Sequence, residues 1–248
     1  MVMIKTLTTL IFDLDGTLCR YKTEIEEGLL ETFGIAEPDE LPLTPADYQE
    51  GFGVAFDRAV EGKVDRPEME FRTRIFFDLL KDKGYSEGKI TDLGLKFARI
   101  RENSLTLYDD VSKLFEKLSD KFKLGLLTNG PSNLQRRKID ALEIESWFDE
   151  IIVSGEYDLA KPDPRIFYIA MDKLDCGPEE TVYIGNSLKY DVIGANNAGI
   201  PVIWKDNGEE EDQVEGARPT LIIKELSELL NAESITTLAE GEKRGIKS

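Results

Sequence analysis

The stretch Thr8-Thr9-Leu10-Ile11-Phe12-Asp13-Leu14-Asp15-Gly16-Thr17 constrains this chain more than any other. Thr8 to Phe12 is β-branched, apolar and aromatic, which reads as a buried strand, and it runs directly into two carboxylates two positions apart. Side chains alternate across a strand. Asp13 and Asp15 therefore project to one side while Leu14 points away, provided the extended geometry persists to Asp15. Two carboxylates in one small volume repel, which calls for either a shared proton or a divalent cation. Gly16 lets the chain leave the strand at once, and Thr17 is placed to hydrogen-bond back onto the acids. The plainer alternative is an acidic turn after an edge strand.

After Thr17 the strand rhythm stops and does not return until about Lys123. Helix signals fill the interval. Thr23 with Glu26 reads as a capping box, Pro45 after Thr44 as a first helical position, and Glu68 to Asp82 carries Met69, Ile75, Phe76, Leu79 and Leu80 at helical spacing. A last helix is predicted over roughly Lys89 to Asn103. An all-helical insert placed directly after a site-bearing strand is most simply a cap, expected over residues 19–105.

From Tyr108 onward strands and helices alternate. Asp109 and Asp110 open a helix to Leu118, Lys123 to Leu127 is a strand, and Ser132 with Gln135 suggests a capping box for a helix to Leu142. Strands over Ile151–Val153, Thr181–Ile184, Pro201–Trp204 and Leu221–Ile223 flank a helix opened by Asp163 and Pro164 and another from Leu188 to Gly199. Such alternation predicts an α/β fold, a doubly wound and mostly parallel sheet over residues 1–18 and 106–230. In sheets of this kind ligands sit at the carboxyl ends of the strands, where Asp13 lies. The polar stretch 231–248 is expected to be a frayed tail.

Composition excludes several classes. The 248 residues contain no histidine, so Ser-His-Asp and Cys-His machinery, histidine-bound zinc and a histidine base are all absent. Asp and Glu outnumber Lys and Arg by 49 to 31, a formal charge of −18, which disfavours nucleic-acid polymers and acidic membranes as partners. No stretch approaches the ~18 apolar residues of a membrane span. Only Cys19 and Cys176 are present, so no disulfide framework is expected and a cytoplasmic location is the default.

Three later strand ends carry polar residues. Thr128-Asn129-Gly130 places a hydroxyl and backbone N–H groups at a helix start, an arrangement suited to phosphate, although the same triplet also makes an ordinary turn. In Lys161-Pro162-Asp163-Pro164 the lysine is held in a stiff loop where it could offset carboxylates and a bound phosphate, or could equally be a solvated surface lysine. In Gly185-Asn186-Ser187-Leu188-Lys189-Tyr190-Asp191, Asn186 or Ser187 can cap a helix, and Asn186 with Asp191 can offer oxygens to a cation.

These four segments together resemble the haloacid dehalogenase-like (HAD) hydrolases, whose first motif is an Asp-x-Asp-x-Thr ending the first strand. The resemblance implies a Rossmann-like core with a smaller helical cap. It also implies Asp13 as nucleophile and Asp15 as general acid and base, with Thr128, Asn129 and Lys161 holding phosphate. Mg²⁺ would be held through Asp13, Asp15, Asn186 and Asp191. The segment Thr128 to Pro131 with Gln135, Lys138, Lys161-Pro162 and Phe167 is similar to family phosphatases acting on nucleoside monophosphates or sialic-acid phosphates. Asn186 stands where family phosphatases normally have Asp, which predicts weaker metal binding unless Asp191 compensates.

The function so implied is Mg²⁺-dependent hydrolysis of a small-molecule phosphate ester, a nucleoside monophosphate or a sugar phosphate, by a monomer or homodimer. Arg20, Lys22, Arg72 and Arg74 are candidates for contacting the distal part of the substrate. The alternatives are a dehalogenase, which the second acid Asp15 disfavours, a phosphosugar mutase, and a catalytically weak binding protein on the same scaffold.

Overall fold

The structure, a computed structural model, describes residues 7–60, 69–208 and 214–230. The expected frayed tail at 231–248 lies outside the described residues, as does Glu68. Strand β1 (Thr9–Phe12) is followed by β2 (Cys19–Tyr21) and, after a helical stretch, by β3 (Leu105–Leu107). The remaining strands are β4 (Lys123–Thr128), β5 (Glu150–Val153), β6 (Thr181–Gly185), β7 (Val202–Lys205) and β8 (Leu221–Ile223). Six of them form one sheet in the order β5-β4-β1-β6-β7-β8, with parallel pairing throughout. β1 is central, and its Phe12 is in register with Leu126 on one side and Ile184 on the other.

The helices are α1 (Ile25–Phe33), α2 (Pro45–Val60), α3 (Phe71–Leu80), α4 (Glu87–Ser104), α5 (Val111–Leu118), α6 (Ser132–Ala141), α7 (Pro164–Lys173) and α8 (Ile193–Asn197). By their contacts the described residues divide into an α/β unit, 7–20, 107–129 and 143–230, and a helical unit, 21–106 with 130–142. Helix α6, which the rhythm of the sequence places with the core, groups with the helical unit because Leu134 packs into that unit's apolar cluster.

Both faces of the sheet are covered in the α/β unit. Ile11 packs in a cluster with Phe167, Ala170, Met171, Val192 and Ala195 from α7, α8 and the turn before α8. One residue on, Phe12 faces the other way and meets Phe115 of α5 at 5.1 Å between ring centroids. This alternation makes every residue of β1 buried, as a strand covered on both faces must be.

Several local readings need correction. β2 and β3 pair in a two-stranded sheet that the absence of strand rhythm before Lys123 did not predict. Three-residue strands are too short to show a period. Thr23 and Glu26 form no capping box, since the N-cap of α1 is Glu24 and makes no side-chain cap. The N-cap of α6 is Pro131, with Ser132 already inside the helix. In contrast Thr44 caps α2 reciprocally: its hydroxyl accepts from the Asp47 N–H at 3.1 Å, and the Asp47 carboxylate accepts from the Thr44 N–H at 2.9 Å. The helix expected from Leu188 begins with a turn of π spacing over Leu188–Val192 before α8.

The core of the helical unit is aromatic. Tyr48, Phe71, Phe76 and Phe97 are buried, and Tyr48 meets Phe97 edge-on at 4.8 Å. Helices α3 and α4 approach closely at Gly94, where an added Cβ would lie 2.6 Å from the Thr73 Cα. Backbone cannot swing aside as a side-chain tip can. Gly94→Val is therefore expected to cost about 1–3 kcal/mol as overpacking, read as a lower urea midpoint with unchanged m; an unchanged midpoint would show that α3 and α4 can separate without loss.

Candidate active site

The carboxyl ends of β1, β4 and β6 converge because β1 lies between the other two. Asp13 follows β1 directly, and its N–H donates to the Ile184 carbonyl at 2.9 Å, so the ladder extends to the first acid. Asp15, half-buried, forms a bridge with Cys19 at the start of β2. Gly16 between Asp15 and Thr17 has φ +78°, and a Cβ there would sit 2.4 Å from the Asn186 amide nitrogen. Only glycine fits that turn.

Lys161 is the centre of the arrangement. Its Nζ donates to Asp13 Oδ1 at 2.6 Å, to Asp191 Oδ1 at 2.7 Å and to the Tyr183 hydroxyl at 2.8 Å. All the hydrogens of an ammonium are thereby used. The Lys161 and Asp191 side chains are each 2% exposed and that of Asp13 8% exposed, so this is a buried cluster, not a surface ion pair. The surface-lysine reading of Lys161 is excluded. The loop is held from Asn129, whose side-chain oxygen accepts from the Lys161 N–H and whose amide donates to the Lys161 carbonyl, each at 2.9 Å.

Burial pushes the Asp13 carboxyl up to about 7, against the pull of the Lys161 ammonium and with a further push from Asp191. Burial alone would lower Lys161, but Asp13 and Asp191 outweigh it and hold the ammonium above its ordinary value. Tyr183 is raised by burial and by the neighbouring carboxylates, so its phenol stays protonated and serves as a hydrogen-bond partner.

The remaining candidates fall into place around this cluster. The Thr17 hydroxyl lies 3.2 Å from Asp13 Oδ2 and 3.1 Å from Asn186 Oδ1, so one hydroxyl bridges the first and last segments. The Asn186 backbone carbonyl accepts from the Trp204 indole at 2.8 Å. Asp191 is engaged at both oxygens: Oδ1 accepts from Lys161 and lies 2.9 Å from the Tyr183 hydroxyl, and Oδ2 accepts from the Ser187 N–H at 2.9 Å. Its place is beside Lys161. Thr128 is buried at the end of β4, with its hydroxyl 3.5 Å from the Asn129 carbonyl.

Among the described residues no three His, Cys, Asp or Glu side chains form a metal-binding group. The donor set near Asp13 is nonetheless one of hard oxygens, from the carboxylate of Asp13, the backbone carbonyl of Asp15 and the side-chain carbonyl of Asn186, and such a set fits Mg²⁺ better than a soft transition metal.

Of the four cationic candidates, Arg20 is exposed, with its guanidinium 5.0 Å from the Tyr108 ring centroid, and Lys22 is exposed. Arg74 lies over Phe71 at 5.4 Å. Arg72 alone is buried. The sequence reading missed Tyr183, Lys205 and Asn207. Lys205 is buried, and its Nζ and the Asn207 amide both donate to the Gly16 carbonyl, at 3.2 and 2.8 Å. A tyrosine within the otherwise apolar strand β6 was the available signal, because a buried hydroxyl needs a partner.

A parallel α/β sheet whose central strand ends in a carboxylate, with a buried lysine from a later loop against it, defines a carboxylate-centred enzyme scaffold. The chain belongs to the haloacid dehalogenase-like hydrolase family, whose sequence profile matches residues 7–199. It is 30% identical to phosphoserine phosphatase of Thermus thermophilus over 79% of this chain and 81% of that one. It is likewise 30% identical to glyceraldehyde 3-phosphate phosphatase of Methanothermobacter thermautotrophicus, over 90% of this chain and all of the relative. Among solved structures, the magnesium-bound HAD hydrolase YfnB of Bacillus subtilis is 29% identical and superimposes with a TM-score of 0.65, covering 91% of this chain and 97% of that one. The protein is accordingly a hydrolase.

The raised Asp13 carboxyl has a consequence for stability. In the folded protein without metal Asp13 holds its proton up to about pH 7, whereas the unfolded chain releases it near 3.8. The folded state is therefore progressively disfavoured as pH rises from 4 to 7 and carries the full penalty above it. Asp13→Asn removes this cost while keeping an acceptor for Lys161. In chelator the variant should melt several degrees above the wild type at pH 8, with an upper bound of about 4 kcal/mol and a gap that narrows toward pH 4; equal melting at pH 8 would contradict the assignment.

Proposed function

We propose that this hydrolase is a Mg²⁺-dependent phosphomonoesterase acting on a small phosphorylated metabolite, a nucleoside monophosphate or a sugar phosphate. The observation that carries the reading is the Lys161 ammonium held between Asp13 and Asp191, a positive charge fixed beside a nucleophile of the right kind. The phosphatase activity of both curated relatives supports it. Asp13 Oδ2 attacks phosphorus as the bond to the leaving oxygen breaks, and Asp15 gives that oxygen a proton. Asp15 then takes a proton from the water that cleaves the aspartyl-phosphate and frees inorganic phosphate.

Thr128 binds phosphate oxygens, and the Lys161 ammonium, which Asp13 shares, offsets the charge spread over them in the transition state. Asn129 positions Lys161 through its backbone and offers its own N–H to the anion. Asp191 and Tyr183 keep the ammonium aimed and charged. The magnesium ion, held by Asp13, Asn186 and the carbonyl of Asp15, would supply positive charge to the phosphate and offset the paired acids. The helical unit serves as the cap, excluding bulk water and selecting the substrate.

Phosphate release from a panel of nucleoside monophosphates, sugar phosphates and small phospho-acids should require both Mg²⁺ and Asp13, with Asp13→Asn lowering kcat by about 10³-fold or more. Release that persists in chelator or in Asp13→Asn would sink the mechanism. Asn186→Asp adds a negative charge to the ligand set. It should tighten Mg²⁺ binding by calorimetry, and an unchanged or weaker affinity would show that Asn186 is not a ligand.

A further inference from the structure

The four cationic candidates differ in one respect that their sequence positions do not reveal. Arg72, on α3 of the helical unit, has a side chain only 4% exposed, yet its Nη1 has no hydrogen-bond partner. Its Nη2 donates to the Tyr21 hydroxyl at 2.9 Å. The nearest carboxylate oxygen to Nη1 is Glu70 Oε1 at 4.0 Å, beyond hydrogen-bonding reach. Glu70 is committed elsewhere: Oε2 caps α3 by accepting from the Thr73 N–H at 2.8 Å, and Oε1 accepts from Arg137 Nη2 at 3.2 Å. A buried donor on a charged group costs too much to be left without an acceptor for no reason.

Arg72 is not alone there. The Tyr21 ring is approached by Arg101 at 4.0 Å, by Lys138 at 5.7 Å and by Arg72 itself at 5.8 Å from the centroid. Lys138 on α6 is buried, and Arg101 is half-buried with its guanidinium bonded to the Thr23 carbonyl. One aromatic face offsets only part of the mutual repulsion of cations gathered about it. Burial, with Arg72 adding to it, pushes Arg101 below its ordinary value, against the pull of Tyr21. Burial alone would lower Arg72, but Tyr21, Tyr48, Glu70 and Glu102 outweigh it and hold Arg72 above its ordinary value, so the guanidinium is charged while its Nη1 lacks an acceptor. Such a group is matched to an anionic oxygen, since guanidinium and carboxylate or phosphate are complementary in shape as well as charge.

We propose that the cluster of Arg72, Arg101 and Lys138 about Tyr21 is an anion-binding site of the helical unit, taking a carboxylate or phosphate group. Where that group is the substrate's own, the site deepens the function proposed above: the preferred phosphomonoester carries a second anionic group, as a phosphorylated acid or a bisphosphate does. That extension rests on the phosphatase reading, whereas the anion site itself does not.

The test uses the full chain and two kinds of probe. Malonate, titrated calorimetrically in chelator, reports the anion site without hydrolysis. Wild type should bind it, Arg72→Met should weaken binding at least ~10-fold, and Arg72→Lys should recover part of the loss. Arg101→Gln, at a half-buried position, should weaken it similarly if Arg72→Met folds poorly. Absent binding, or binding equal in wild type and both Arg72→Met and Arg101→Gln, overturns the proposal.

The source of the anion is then read from phosphoglycolate against 2-hydroxyethyl phosphate, which differ in the carboxylate. A KM at least ~10-fold lower for phosphoglycolate, with Arg72→Met abolishing the difference and sparing the ester that lacks the carboxylate, assigns the anion to the substrate. Malonate binding that depends on Arg72, with no discrimination between the esters, assigns it to a free anion. Failure of the phosphatase reading would appear separately, as no release from either ester while the malonate result stands.

Discussion

The ammonium of Lys161 between the carboxylates of Asp13 and Asp191 is the interaction on which the α/β unit depends. Each partner comes from a different part of the chain: Asp13 from the end of β1, Asp191 from the π-wound turn before α8, and Lys161 from the loop before α7. Two acids and one base this deeply buried would be costly singly, and removing the lysine would leave two carboxylates facing each other without a counter-charge. The sheet order makes the meeting possible by placing β6 beside β1, so that Tyr183 rises from the neighbouring strand under the ammonium. The remaining negative charge is the physical argument for a divalent cation, and the oxygen donors of Asp13, Asp15 and Asn186 suit one.

The supports of this cluster are mostly neutral hydrogen bonds. Asn129 holds the Lys161 backbone at both of its polar groups, Ser187 holds Asp191, and Thr17 spans Asp13 and Asn186. Lys205 and Asn207 hold the Gly16 carbonyl, and so fix the turn that carries Asp15 and Thr17. Groups that react must be kept within narrow limits, and a second layer of hydrogen bonds, in which Lys205 is charged, does this.

The helical unit is organised by different physics. Its core is a set of interlocking aromatic rings, with α3 and α4 brought together at Gly94. Three of its cationic side chains, Arg72, Arg101 and Lys138, are gathered around Tyr21. Residues 130–142 belong to this unit by their contacts although they follow directly on β4. The same loop thus ends the strand that bears Thr128 and begins the helix that bears Lys138.

Much of the fold was legible because its signals are local and periodic. The β-branched run before Asp13, the alternation of strands and helices after Tyr108, and caps such as Thr44 and Asp163 each depend on residues a few positions apart. The two acids, the lysine after β5 and the asparagine after β6 could be read as strand-end groups for the same reason. β2 and β3 could not, being too short for a period. Nor could the failed cap at Thr23, where Glu24 took the position, or the grouping of α6, which Leu134 decides by packing against residues far away in sequence.

The sequence by itself thus determined which polar side chains stand at the strand ends, because binary pattern and turn residues act over short distances. Tertiary structure alone decided their partners. Asp191 stands as a buried partner of Lys161, Asn129 grips a backbone with its side chain, and Tyr183 is part of the charged cluster. Arg72 is set apart from Arg20, Lys22 and Arg74 by burial without a partner for Nη1. Partner choice depends on distances between segments that are remote along the chain, and only the packed sheet and helices set those distances.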